Sequence, residues 1–364
     1  MKQLLKNTVL VTIPALTVLF LLLELVFRYI AVAPDPPRQV MDRENNIMRF
    51  DTRGKRDGVF TAGRFGQQKG RWHVNNNGWL SGIDYLSKTE RHKPLIAVIG
   101  DSYVEAVQVD YDKSFVALLR NALQDTFDVY SFGLSETALS GYLHLARYVD
   151  RVFEPDVLIF NLCYNDFDES IRELHFDPNF LQVSVRDTSV VEIPPIPRTY
   201  NKLKRFMFHS ATMRYVYYLA PNFFHKLNWN ASRSEGSNEN IAADEVQQNR
   251  AIISRATKYV IETICRENGG RKVYFIMSAP RSDIYRGSLD TSTVRWLNET
   301  VADSMRDLPC VLIDQTEYFK NDYLKNGKRF ESPYDAHWNE YGHYVTFKQL
   351  LEALHDQRKG LWSS

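Results

Sequence analysis

Apolar positions first gather at the amino terminus. Thr8 to Leu23 gives sixteen residues without a charge, and beyond Glu24 and Arg28 the apolar character continues to Val32. That length predicts a bilayer-spanning helix over 8–32, with Arg28 and Tyr29 placed to reach the far interface. Residues 33–93 are Pro-rich, then Gly-rich and polar, with Trp72, Val74 and Trp79 as isolated apolar positions. They predict a stem that leads onto the flank of a domain beginning near residue 94, and Asn75-Asn76-Asn77-Gly78 is a turn signal within it.

From Leu95 onward short unbroken apolar runs alternate with stretches of helical spacing. The runs starting at Leu95, Val129, Val157, Val273 and Val311 have the length and β-branched character of buried parallel strands. Between and after them, Ser114–Leu123, Leu139–Val152, Asp244–Glu267 and Tyr341–His355 space their apolar residues as helices do. Gly269-Gly270 is expected to close the third of these. Such alternation predicts crossover units, and hence a three-layer α/β/α sandwich around a central five-stranded parallel sheet. One insertion, at about 167–243, breaks it. Val183, Val185, Val190, Val191 and Ile193 suggest a hairpin there. Thr199–Trp229 is aromatic and basic, which suits helices packed over the domain or a second contact with the membrane surface, packing being preferred. Asn230–Asn240 reads as an exposed loop.

Composition changes this picture little. The 364 residues are 44% apolar and 24% charged, with a net charge of +1. Nothing there argues for nucleic acid, and no basic run marks a polyanion site. Cys163, Cys265 and Cys310 are too few and scattered for a disulfide framework or a zinc site, and are expected to behave as free thiols, two of them in or beside strands. The amino-terminal segment has two readings. Ala31-Val32-Ala33 has the small-x-small pattern of a cleaved signal peptide, but Pro34 follows the cut and the apolar run is long for one. An uncleaved anchor is preferred, with residues 1–7 cytoplasmic and the domain on the extracytoplasmic side, periplasmic or cell-surface.

Three polar clusters sit past strand ends or in the last loop: Gly100-Asp101-Ser102, Asn165-Asp166 and Asp335-Ala336-His337-Trp338-Asn339. Parallel strands bring their carboxyl ends together, so serine, asparagine and histidine can converge. Serine needs a neighbouring base, histidine suits that role, and Asp335 can hold the ring's other nitrogen. Asn165 offers a side-chain donor to a developing oxyanion. Gly100 is expected to free the backbone for a tight turn. Asp101 and Asp166 are expected to bond loop amides and orient their neighbours.

In order and placement these clusters resemble the SGNH (GDSL-type) hydrolase superfamily, over about 94–356, and Trp72–Gly78 resembles the approach segment of its membrane-anchored bacterial members. The resemblance implies a flavodoxin-like fold and ester chemistry with no cofactor or metal. It makes Ser102 the nucleophile, His337 the base and Asp335 its partner. The oxyanion hole would comprise the Ser102 amide, Asn165, and an amide from the turn Gly133–Glu136. Two departures stand out. Glu136 occupies the place of the family's second glycine, and Asp335 and His337 are two apart where three is usual. Water as acceptor would make an esterase, acting for instance on O-acetyl groups of a surface glycan or on a lipid ester. A polysaccharide hydroxyl would make an O-acyltransferase. A metal-dependent phosphoesterase using Asp101, Asn165, Asp335, His337 and His343, and a non-catalytic membrane-tethered scaffold, are the remaining alternatives.

Overall fold

The computed structural model describes residues 8–63, 65–187, 189–196, 206–218 and 243–359. Residues 1–7, the loop expected at 230–240, and Tyr200, Phe223 and Phe224 of the aromatic stretch lie outside them.

Thr8–Tyr29 forms one helix, long and apolar enough to cross a membrane, and none of its apolar window is buried against the protein. Two antiparallel hairpins follow: β1 (Gln39–Asp42) with β2 (Ile47–Phe50), and β3 (Asp57–Ala62) with β4 (Gln68–His73). Their apolar side chains are not idle. Ile47, Phe50, Trp72, Val74 and Trp79 enter the same core cluster as the central sheet.

That sheet is built from β5 (Leu95–Gly100), β6 (Asp128–Gly133), β7 (Val157–Leu162), β10 (Lys272–Met277) and β11 (Cys310–Asp314), all parallel, in the order β11-β10-β7-β5-β6. Alternate residues of a strand point to opposite faces, and the cores divide accordingly. Ala97, Ile99, Phe160 and Phe275 pack on one face with Leu143, Val260 and Val301 from the helices Leu139–Phe153, Arg250–Glu267 and Arg295–Met305. Ile96, Val98, Ile159 and Ile276 pack on the other with Leu119, Phe319 and Leu350, from the helices Phe115–Leu123, Thr316–Asn326 and Glu340–Lys359. The α/β/α layering expected from the alternation of runs is present.

The insertion contains the hairpin β8 (Gln182–Arg186) with β9 (Ser189–Ile193), and a helix over residues 211–218. A last ribbon pairs β12 (Glu331–Ser332) with β13 (Asp335–Trp338).

Four local expectations need correction. The helix expected over Asp244–Glu267 is two, Ala243–Gln248 and Arg250–Glu267, divided at Asn249. Its end is closed by Asn268, whose amide and side chain both donate to the Ile264 carbonyl, so Gly269 and Gly270 are not the cap. Cys265 and Cys310 are joined in a disulfide, and only Cys163 is free. Sequence separation hid that pairing: the crossover through β10 lays the carboxyl-terminal turn of one helix against the start of the edge strand. Asp335–Trp338, expected in a loop, is the strand β13.

Candidate active site

The chain enters the sheet at β5, pairs β6 on one side, then crosses to β7 on the other. The strand order therefore reverses between β5 and β7, and a crevice opens beyond their carboxyl ends, where ligands of open α/β sheets bind. Ser102 follows β5 by two residues and Asn165 follows β7 by three.

Ser102 opens a short helix, Ser102–Glu105, and is half-buried. The Asp101 carboxylate caps that helix, accepting from the Tyr103 amide at 2.9 Å. Gly100 is required by crowding and not by its dihedrals: a Cβ there would meet Val104 Cγ2 at 2.4 Å. Gly133 is required in the same way, since a Cβ would stand 2.1 Å from the Glu105 amide nitrogen. Both glycines let the serine helix sit down on the strand ends.

His337 Nε2 lies 2.8 Å from Ser102 Oγ. Its Nδ1 is hydrogen-bonded to Asp335 Oδ1, which also accepts the His337 amide at 3.0 Å. The two-residue spacing follows from the strand. Side chains at i and i+2 share a face of β13, so Asp335 and His337 stand side by side. Burial pushes the Asp335 carboxyl up, but the hydrogen bonds and charge of His337 outweigh it and leave it below the ordinary value. Asp335 is thus the ionised partner of the pair.

The ribbon is held from beneath by residues that the sequence reading missed. Arg281, which opens the helix Arg281–Arg286 four residues past β10 and is 3% exposed, donates to the Ala336 carbonyl at 3.0 Å and to Tyr103 Oη at 2.7 Å, with Glu331 at 3.8 Å. Ala336 lies between Asp335 and His337, so one guanidinium holds the backbone that carries both. Its position just past a strand end in a parallel sheet was the available signal. Trp338 is buried edge-on to Tyr103. His343 packs parallel to Phe115, accepts that residue's amide at Nδ1, and is pushed down to about 3 by burial, helped by the charge of His337.

The donors expected for an oxyanion are less uniform. The Asn165 side-chain amide donates to Glu169 Oε2 at 3.1 Å, which leaves its second N–H, since an amide carries two. In the turn after β6, the Ser135 amide is held by the buried Glu105 carboxyl, and the Thr137 amide donates to the Leu134 carbonyl. Between them Glu136 has φ +70°. That left-handed backbone accounts for the glycine that the resemblance leads one to expect here, because side chains are disfavoured in it. Burial pushes Glu105 up to about 7, against the hydrogen bonds of Ser135. Burial raises Asp101 as well. Asp166 is raised by burial and by the charge of Asp101; its oxygens accept the Cys163 amide and the Tyr142 hydroxyl, each at 2.7 Å. Among the described residues no group of three or more His, Cys, Asp or Glu is arranged to hold a metal ion.

No protein-family model and no curated protein matches the chain. Solved structures do. It is similar to an acetyl xylan esterase at 14% identity and TM-score 0.40, over 71% of this chain and 98% of that one. A member of the lipolytic protein G-D-S-L family from Veillonella parvula matches at 11% and 0.40, over 71% and 96%. The lipase/acylhydrolase from Enterococcus faecalis matches at 11% and 0.40, over 72% and 96%.

Proposed function

We propose that the protein is a membrane-anchored serine ester hydrolase of the SGNH type. The observation that carries this reading is the 2.8 Å contact between Ser102 Oγ and His337 Nε2, with Asp335 on the ring's other nitrogen. With Nδ1–H donated to the ionised Asp335, Nε2 has its lone pair toward the serine hydroxyl. It takes the proton as Oγ attacks the ester carbonyl, and Asp335 stabilises the imidazolium that results. Collapse of the tetrahedral intermediate releases the alcohol, protonated by His337, and leaves an acyl-serine. Water, deprotonated by the same ring, then attacks the acyl carbonyl; the second intermediate collapses to the acid as His337 returns the proton to the departing Ser102 Oγ. The Ser102 amide, the second N–H of Asn165 and an amide of the turn Gly133–Glu136 are the donors assigned to the oxyanion.

The domain belongs outside the cytoplasm in this reading. The Cys265–Cys310 disulfide supports it, because such bonds persist in oxidising compartments. O-acetyl groups of a surface glycan are the first substrates to try.

A serine-reactive fluorophosphonate tests the proposal. It is expected to modify Ser102, mapped by mass spectrometry, and Ser102→Ala is expected to abolish both labelling and turnover of p-nitrophenyl acetate. Unchanged turnover in a folded Ser102→Ala protein would reject the serine mechanism. Adding a glycan acceptor to the acyl-enzyme shows whether a sugar hydroxyl replaces water.

A further inference from the structure

The insertion reaches back to the anchor. Glu24, in the last two turns of the apolar helix, accepts from the Ala211 amide at 2.9 Å and the Thr212 amide at 3.0 Å. It also accepts from the hydroxyls of Ser210 at 2.7 Å and Thr212 at 3.1 Å. A carboxylate from one helix thus caps the amino end of another, over residues 211–218. One turn further along the anchor, Phe27 stacks on Tyr215 with ring centroids 3.8 Å apart. Arg28 donates to the His209 carbonyl, and Arg214 donates to the Pro34 carbonyl at 3.0 Å.

The docked helix is turned the wrong way for water. Ala211 is fully buried, Tyr215 faces the anchor and Arg214 the Pro34–Asp35 segment after it, whereas Met213, Val216 and Tyr217, spaced as one helical face, are 36%, 52% and 50% exposed. Just before it, Phe206 and Met207 are 74% and 42% exposed. This apolar face continues the unburied apolar surface of the anchor, at the level where the anchor acquires Glu24, Arg28 and Tyr29. A short helix with aromatic and sulfur-bearing residues outward, beside the polar end of a membrane span, has the make-up of an interfacial element.

We propose that residues 206–218 form a foot that rests in the headgroup region of the bilayer on the extracytoplasmic side, with Phe206, Met213, Val216 and Tyr217 dipping into lipid. The proposal rests on the reading of Thr8–Tyr29 as a membrane span. The occupant is lipid, because the face is continuous with a helix whose apolar surface has no other cover among the described residues.

Depth-dependent quenching tests this in the full chain, in vesicles of phosphatidylcholine and phosphatidylglycerol. A single cysteine at Val216, Leu19 or Leu324 carries an environment-sensitive dye; Cys163 is buried and the other two cysteines are bonded. Leu19 lies in the apolar helix and Leu324 is a 72% exposed position in the helix Thr316–Asn326. The expected result is quenching by brominated lipid at 19 and 216, and quenching by aqueous iodide at 324 alone. Lipid quenching at 19 with iodide quenching at 216 overturns the foot and keeps the anchor. Iodide quenching at 19 overturns the anchor itself. A label at 216 shielded from both quenchers puts a protein partner on this face and overturns the lipid assignment.

Discussion

At the scale of single residues, the buried Glu105 links pH to the shape of the turn. Its carboxyl is raised to about 7, so the folded protein holds that proton more tightly than the unfolded chain does. The stability it contributes is complete below the ordinary carboxyl value, falls as pH rises toward about 7, and is level above that. Glu105→Gln is expected to remove this slope, measured by urea denaturation between pH 4.5 and 8. Glu136 is strained for a different reason, its positive φ. Glu136→Gly is expected to raise stability by about 1 kcal/mol, read from the same denaturation curves. The convergence of Ser102, Asp335 and His337 could be read from the sequence because each follows or fills a recognisable segment. Glu105 and Arg281 could not, since their importance depends on which loop the packing lays beside them.

Among the elements, β13 explains a departure that spacing alone made puzzling. In a strand, two residues apart means the same side, and one residue apart means opposite sides. Moving the carboxylate by one position, in Asp335→Ala with Ala336→Asp, keeps the composition but turns the acid away from His337. The expected loss in kcat/KM matches that of Asp335→Ala alone, roughly 10³–10⁴-fold. Beneath the ribbon, Arg281 and Glu331 are both nearly without solvent. Arg281→Met removes the buried donor to the Ala336 carbonyl and Tyr103 hydroxyl and one of the cations beside Glu331, which keeps Tyr285 and Arg329. It is expected to cost about 3 kcal/mol of stability, with Glu331→Leu in the same chain restoring only a part of it. A double-mutant cycle measures both. The five sheet strands were legible to within a residue or so, because unbroken apolar runs have few other uses. The ribbon was not, since its strands of two and four residues lack the length for a hydrophobic period to show.

Across the whole molecule, a disulfide and the docking of the apolar helix both act on one domain. The disulfide closes a loop of 45 residues that contains β10 and Arg281 and ends on the edge strand β11. Replacing both cysteines with serine is expected to lower stability by about 4 kcal/mol on the loop-entropy estimate, measured by urea denaturation with the wild type under oxidising conditions. The pair does not show in the sequence, because only the folded crossover makes Cys265 and Cys310 neighbours. The cap on the 211–218 helix adds a matter of timing. Synthesis runs from the amino terminus, and Ser210 follows Glu24 by 186 residues. For all that interval Glu24 stands at the end of an apolar helix without the amides that later surround it. Arg28, one turn on and already paired with it, is the partner at hand from the beginning. The ion pair thus matches the charge of Glu24 within its own helix, and the partners that later surround it arrive only after more than half the chain has been made.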